Sequence, residues 1–355
     1  MEVKIQEGTM QPKGCQYGTH RVIKPKGVLP QPAEIISNDM ALFDNEIRID
    51  VQTLNIDSAS FTQIKAQANG DIEQIKAIMM DLVTRQGKHK NPITGSGGML
   101  IGTVEAIGDA LAGKTDLKIG DKIATLVSLS LTPLVIEAIT QVRTQTDQVD
   151  IKGKAILFES GLYAKLPADI PEKLALSVLD VAGAPAQTAK LVKPGDTVLV
   201  IGGGGKSGML CLYEAKKCAG ENGCVICLQN DDAMKATVMD NHLADHYIVA
   251  DATDAVGVLK VIESVTNGAF CDLTINCVNV PNTEMASILS TKDEGTVYFF
   301  SMATSFTKAA LGAEGVGKDI NMIIGNGYTK GHAALTLEIM RESAALRNIY
   351  EKLYA

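Results

Sequence analysis

The sequence predicts an α/β protein, a doubly wound parallel sheet preceded by a separate β-rich region, and three observations lead there. Beyond Pro171 apolar, β-branched strands alternate with helical stretches. One of those strands runs into a helix through a glycine run, Gly202 to Gly208, interrupted only by Lys206 and Ser207. From Glu46 to Leu126 the rhythm is different, with short β-type segments punctuated by glycine. Alternating strands and helices imply a parallel sheet covered on both faces, whereas short alternating segments imply an antiparallel domain.

The elements follow in order. EIRIDVQTLNI (46–56), IGTVEAIG (101–108) and KIGDKIATL (118–126) read as strands, with an amphipathic helix from Asp71 to Arg85 placing Ile72, Ile75, Ile78, Met79 and Leu82 at helical spacing. Next come a helix from about Glu172 to Lys190, the strand TVLVIG (197–202), a helix to about Ala219, CVICLQ (224–229), a helix to about Leu243, and HYIVA (246–250). CDLTINCV (271–278), GTVYFF (295–300) and DINMIIG (319–325) complete the strands, and His332 to Tyr354 reads as one amphipathic helix returning to the first domain. At 355 residues two domains are expected. The expected division is 1–178 with 329–355 in the β-rich domain and 179–328 in the parallel-sheet domain.

Composition removes several classes of function. No stretch approaches the roughly 20 apolar residues that span a bilayer. The N-terminus turns acidic at once and lacks the pattern of a signal peptide, so a cytoplasmic location is expected. Seven scattered cysteines fit reduced thiols, and Cys224-x-x-Cys227 lies in an apolar strand where buried cysteines are favoured over a metal site. A net charge of -8 with dispersed lysines argues against nucleic acid.

The chemistry sits first in the glycine run. Strand, glycine turn and helix together suit a dinucleotide pyrophosphate, which approaches main-chain N–H groups at a helix N-terminus. Gly203, Gly205 and Gly208 satisfy one register and Gly202, Gly205 and Gly208 another, with Gly204, Lys206 and Ser207 in the same turn. A phosphate-loop reading of Lys206 fails because the required glycine before Gly205 is absent. After the second strand, Asp231, with Asn230 next, is placed to accept from the adenine-side ribose hydroxyls. No arginine or lysine occurs between Cys224 and Met234, which favours NAD over NADP. Cys277, Val278 and Asn279, at the carboxyl end of the fourth strand, are candidates to flank the nicotinamide, and Ser301 and Met302 end the next strand.

These blocks, with PEKLALSVLDVAGAPAQTAKLVKPGDTVLVIGGGGKSG (171–208), resemble the medium-chain dehydrogenase/reductase superfamily. The resemblance implies a GroES-like catalytic domain joined to a Rossmann domain. It also aligns Asp57, Gly98 and Ser177 with the catalytic-zinc positions of zinc-dependent members, and two of these cannot be ordinary ligands, so a zinc-free branch is implied. A narrower likeness lies in KGCQYGTHRVIKPKGVLPQP (13–32), GAPAQT (183–188) and NCVNVPNTEMA (276–286), which resemble the L-erythro-3,5-diaminohexanoate dehydrogenase family of lysine fermentation. That resemblance implies NAD-dependent oxidative deamination of a small diamino acid, giving 5-amino-3-oxohexanoate and ammonia.

Such a reaction needs a base to take a proton from the amine and activate water, acidic groups for two ammonium groups, and a cation for the carboxylate. Asp57 is the first choice as base, since its matching position in zinc-dependent relatives touches the reacting centre. Asp180 and Glu105 lie in segments that face the cofactor in similar folds. His20 is assigned an acid/base role, Arg21 a carboxylate clamp and Tyr17 an orienting hydroxyl, while His332 reads as packing. Two other classes compete: a zinc-free quinone or enoyl reductase, and a non-catalytic NAD-binding protein. Pairing of GTVYFF, expected at a sheet edge, with its copy would give a homodimer.

Overall fold

The computed structural model describes residues 13–301, 303–325 and 327–354, and the chain divides into two compact units, Met1–Pro167 and Ala168–Ala355. In the first unit the order is β1 (Val22–Lys24), β2 (Ile35–Ile36), β3 (Glu46–Asn55), α1 (Ser58–Gln67), α2 (Ile72–Gln86), β4 (Met99–Ile107), β5 (Lys122–Thr125), β6 (Leu134–Arg143), β7 (Gln148–Phe158) and β8 (Tyr163–Lys165). Six strands form one antiparallel sheet in the order β6-β7-β3-β4-β5-β8. Along β3 the side chains of Ile47, Ile49 and Val51 are buried while Arg48, Asp50 and Gln52 face outward, the period-two pattern of a sheet covered on one face. A register shift between Val51 and Thr53 then bends the strand. Phe61 and Ile64 from α1, with Ile75, Met79 and Leu82 from α2, complete the core beneath the sheet.

The helix expected at 71–85 is α2, capped by Asp71, whose side chain accepts from Gln74 N, and ended by Gly87 at φ 73°. Gly87 is required there: a Cβ would lie 2.0 Å from the Ile36 carbonyl oxygen.

The second unit runs α3 (Glu172–Leu179), α4 (Gly183–Leu191), β9 (Thr197–Ile201), α5 (Lys206–Ala219), β10 (Cys224–Gln229), α6 (Lys235–Asp240), β11 (His246–Val249), α7 (Ala255–Val265), β12 (Cys271–Asn276), α8 (Glu284–Ser290), β13 (Thr291–Phe299), α9 (Phe306–Val316), β14 (Asn321–Ile324), α10 (His332–Glu342) and α11 (Ala344–Tyr354). Its six strands are all parallel, in the order β11-β10-β9-β12-β13-β14. The order reverses between β9 and β12, the switch point at which open α/β sheets bind ligands. The α/β class expected from the sequence, a doubly wound parallel sheet beside an antiparallel domain, is the class observed.

Three expectations differ in detail. The single helix over 172–190 is two, with the chain turning at Asp180–Ala182. Restarting at Gly183 places Pro185 in the first turn, where its missing N–H costs no intrahelical bond. The C-terminal helix likewise breaks at Ser343, whose Oγ accepts from Leu346 N and starts α11. GTVYFF is not an edge, because β13 lies between β12 and β14, and the edge on that side is β14, with Met322 and Ile324 exposed.

Residues 329–355 group with the second unit and not, as expected, with the first, and the boundary falls at Pro167. The physical reason is packing: α10 lies against α3 and α4, α11 lies against α3, and Arg341 holds Asp169 through two hydrogen bonds of 2.8 and 3.2 Å. Leu346 is fully buried in this arrangement. Leu346→Ala is expected to destabilise the second unit by about 2–5 kcal/mol. Hydrogen exchange should show lost protection in α3 and unchanged protection in β3; the reverse would restore the expected assignment.

Candidate active site

In the second unit the candidate cofactor site is the β9–α5 turn. Gly202 leaves β9 at φ 81°, and its N–H donates to the Leu228 carbonyl at 2.8 Å. A Cβ at Gly208 would lie 2.1 Å from the Gly202 oxygen, so α5 can start this close to β9 only with glycine at that position. A Cβ at Gly203 would meet Cys227 Sγ at 2.6 Å, and one at Gly204 would meet Met234 Cβ at 2.8 Å. Gly205 is the N-cap of α5 and has no side chain to occupy the first free N–H groups. Gly202, Gly205 and Gly208 therefore carry the turn, its close approach and its helix start, and the cradle fits a pyrophosphate.

Around this turn several expected residues converge. Cys277 N donates to the Ile201 carbonyl at 2.9 Å, and a Cβ on Gly202 would sit 2.9 Å from Val278 Cγ2. Ser301 N reaches the Asn276 carbonyl at 3.1 Å, which brings the ends of β12 and β13 together. Asn279 is exposed beside them, while Met302 lies outside the described residues. Lys206 and Asp180 form an ion pair at 2.5 Å, with Asp180 45 % exposed, and the Lys206 carbonyl accepts from Tyr350 Oη. Ser207 is half-buried in the first turn of α5. Asp231 and Asn230 are exposed just past β10, and Asp231 Oδ1 accepts from Ala233 N at 3.0 Å.

Two residues not singled out in the sequence hold this region. Gln229 is half-buried at the end of β10, its Nε2 3.0 Å from where a Gly204 Cβ would be. Buried Asn276 donates from Nδ2 to Thr283 Oγ1 and Ser287 Oγ, both at 2.9 Å, and accepts from Val278 N at 3.1 Å. A polar residue ending an apolar strand was the available signal for Asn276.

In the first unit His20 and Arg21 meet on one carboxylate, while Asp57 and Glu105 have hydrogen-bond partners of their own. Asp57 is exposed and is the N-cap of α1, Oδ1 accepting from Ala59 N (3.1 Å) and Ser60 N (3.3 Å). Behind it Ser60 Oγ lies 2.6 Å from both Thr94 Oγ1 and Ser96 Oγ, a hydroxyl group of three that the sequence reading missed. Gly98, at φ 102°, would set a Cβ 2.1 Å from the Asn55 oxygen, so no ligating side chain fits there. Ser177, in the second unit, donates its hydroxyl to the Leu174 carbonyl at 2.8 Å. Glu105 bridges Arg48 (2.6 Å) and Lys154; burial pushes its pKa up, but these two cations hold it below the ordinary value. Tyr17 is 54 % exposed.

His20 and Arg21 require correction as substrate groups, because the chain itself uses them. Arg21 is 2 % exposed and clamps Glu46, with Nε to Oε1 at 2.6 Å and Nη2 to Oε2 at 2.5 Å, and also donates to the carbonyls of Asp39 and Ala41. His20 Nδ1 accepts from Cys15 N at 3.0 Å, so Nε2 carries the proton and donates to Glu46 Oε1 at 2.9 Å. The carboxylate that Arg21 binds is therefore internal, and neither imidazole nitrogen is free.

The parallel sheet, its strand order and its glycine turn define a Rossmann-type fold of the kind found in medium-chain reductases. Solved structures agree at the level of fold: a mycobacterial quinone oxidoreductase matches with TM-score 0.55 at 18 % identity over 85 % of this chain and 81 % of the other. An enoyl reductase, CurK, matches with TM-score 0.53 at 13 % identity over 84 % and 79 %. The family model for the L-erythro-3,5-diaminohexanoate dehydrogenase N-terminal domain matches residues 20–167. Two relatives named L-erythro-3,5-diaminohexanoate dehydrogenase, from Acetoanaerobium sticklandii and Fusobacterium nucleatum, are 64 % and 62 % identical, each over 96 % of this chain and 99 % of its own length. The chain belongs to the L-erythro-3,5-diaminohexanoate dehydrogenase family and is an oxidoreductase.

Burial pushes the Glu46 pKa up, but hydrogen bonds from Arg21 and His20 outweigh it and leave the folded-state value below the ordinary 4.5. A depressed carboxylate pKa contributes stability that is present above the unfolded-state value and is lost as pH falls through the folded one. Glu46→Gln, which leaves Arg21 buried without its counter-charge, is expected to cost roughly 3–5 kcal/mol at pH 7. The gap to wild type should narrow below about pH 4.5. Thermal melts of both proteins from pH 3.5 to 7 check this, and a gap independent of pH would refute it.

Proposed function

We propose that this enzyme oxidises the C3–N bond of L-erythro-3,5-diaminohexanoate with NAD and water, giving 5-amino-3-oxohexanoate, ammonia, NADH and a proton, as a step of lysine fermentation. The observation that carries this reading is the near-complete coverage and high identity with two relatives of that name. NAD, when bound, supplies the hydride acceptor. The free N–H groups at the start of α5 hold the pyrophosphate, and the exposed Asp231 carboxylate accepts from the ribose hydroxyls. The same carboxylate repels a ribose phosphate, which supports NAD over NADP.

Hydride leaves only a neutral amine, so a base must first take an ammonium proton. Asp57 serves in this reading: two backbone N–H groups fix Oδ1, and Oδ2 takes the proton. Asp57 is exposed, so it passes that proton to solvent and then accepts one from the water that hydrolyses the imine. Glu105, between Arg48 and Lys154, is already compensated and is better suited to the fold than to an ammonium. Zinc independence belongs to the same reading, since Gly98 offers no ligand atom and the Ser177 hydroxyl is engaged. All seven cysteines are free, which fits a reducing cytoplasm, and among the described residues no helix is long and apolar enough to cross a membrane. A homodimer would form at β14, whose Met322 and Ile324 are exposed, and not at GTVYFF.

Ammonia release with the diamino acid and NAD tests the function, and robust NADPH–quinone turnover without ammonia would replace it by the reductase alternative. Asp57→Asn should lower kcat at least 100-fold while NAD affinity changes less than twofold; full activity would remove Asp57 as base. Asp231→Ala should raise the Kd for NAD about tenfold, corresponding to roughly 1.4 kcal/mol, with kcat retained at saturation. Unchanged affinity by calorimetry would move the ribose contact elsewhere.

A further inference from the structure

Beneath the glycine turn two thiols face each other. Cys211, in the second turn of α5, and Cys277, directly after β12, place their Sγ atoms 3.9 Å apart. Cys211 is fully buried and Cys277 is partly exposed. A disulfide requires about 2.05 Å, so the sulfurs must close by about 2 Å. Among the described residues no disulfide joins any of the seven cysteines.

We propose that Cys211 and Cys277 are a redox-sensitive dithiol that a hydroperoxide closes into a disulfide, disabling dinucleotide binding until a thiol reductant reopens it. The consequence for binding rests on the cofactor site proposed above; the formation of the bond does not. Cys277 is the accessible partner. Burial pushes the Cys211 thiol well above its ordinary pKa, which keeps it protonated and leaves the first reaction to Cys277. Peroxide transfers one oxygen to Cys277 Sγ as its O–O bond breaks, giving a sulfenic acid and one water. Cys211 Sγ then attacks that sulfur, the S–O bond breaks, and the departing oxygen takes the Cys211 proton as a second water. Two thiols lose two electrons and one peroxide gains them.

The location makes this bond matter. Cys277 N is tied to the Ile201 carbonyl, and Val278 already packs against Gly202, where a Cβ would be 2.9 Å from Val278 Cγ2. Drawing Cys277 toward α5 therefore distorts the turn at the residue with φ 81°. The other thiols offer no such partner at this turn: Cys218 donates to Glu214 in its own helix, and Cys227 packs under Gly203.

The test treats the reduced, full-length enzyme with hydrogen peroxide and follows mass and NAD affinity together. Wild type should lose about 2 Da, the mass of two hydrogens, with the tryptic peptide 207–216 joined to 261–292. The Kd for NAD should rise at least tenfold and return with dithiothreitol. Cys277→Ser should not form the link, although 261–292 still contains Cys271. Cys211→Ala should keep after peroxide the affinity it had before. Absence of the link, a link that survives Cys277→Ser, equal loss of affinity in Cys211→Ala, or a link with unchanged NAD affinity would each overturn the proposal. If the reduced enzyme binds no NAD, the cofactor reading fails by itself and the regulatory claim falls with it, while the mass result still decides whether the thiols pair.

Discussion

The closest approach that the second unit must achieve is that of α5 to the end of β9. With Gly208 where a Cβ would be 2.1 Å from the Gly202 oxygen, the helix starts directly above the strand and its free N–H groups open at the switch point of the sheet. Every neighbouring feature is arranged around that contact. Cys227 and Met234 fill the space that side chains at 203 and 204 would need, Val278 packs on Gly202, and Asn276 fixes the loop that carries Val278. Tyr350 reaches back from the last helix to the Lys206 carbonyl, so the C-terminal segment also secures the start of α5.

Much of this unit was legible because its signals are local. CVICLQ coincides with β10, and the glycine run lies between a strand and a helix as its pattern requires. Where the reading fell short, a tertiary cause or an ignored signal is visible. The long helix from 172 to 190 was drawn through Pro185, whose ring and missing N–H force a restart. The C-terminal helix was sent to the wrong unit because amphipathicity shows that a face is buried but not against what. In the first unit β6 went unread since its edge position leaves Glu137 and Ala138 both exposed, blurring alternation. β7, by contrast, alternates clearly through Val149, Ile151 and Ala155 and was open to the same argument as β3.

The site was less legible than the fold, and the N-terminal motif shows why. His, Arg and Tyr within five residues look like chemistry, yet His20 and Arg21 spend their hydrogen bonds on one buried carboxylate, Glu46, which lies 25 residues past Arg21 in sequence. A string can mark a family because it holds the fold, and its residues need not touch substrate. Sequence gives the donors but not their acceptors, and a guanidinium already paired with an internal carboxylate cannot also clamp a ligand.

Asp57 poses the opposite question, because a capping role and a chemical one are compatible. Capping engages Oδ1 with two backbone N–H donors. The chemical role proposed for the same carboxylate rests on geometry: an oxygen fixed by two backbone donors holds the other in place. Gly98 bears on this as well, since its forbidden Cβ would approach Asp57 N at 2.8 Å. In this chain glycine at 98 leaves no ligating atom and permits the backbone of 55–57 to pass close by. The space that a side chain at 98 would occupy is given to the strand-to-helix turn that carries Asp57.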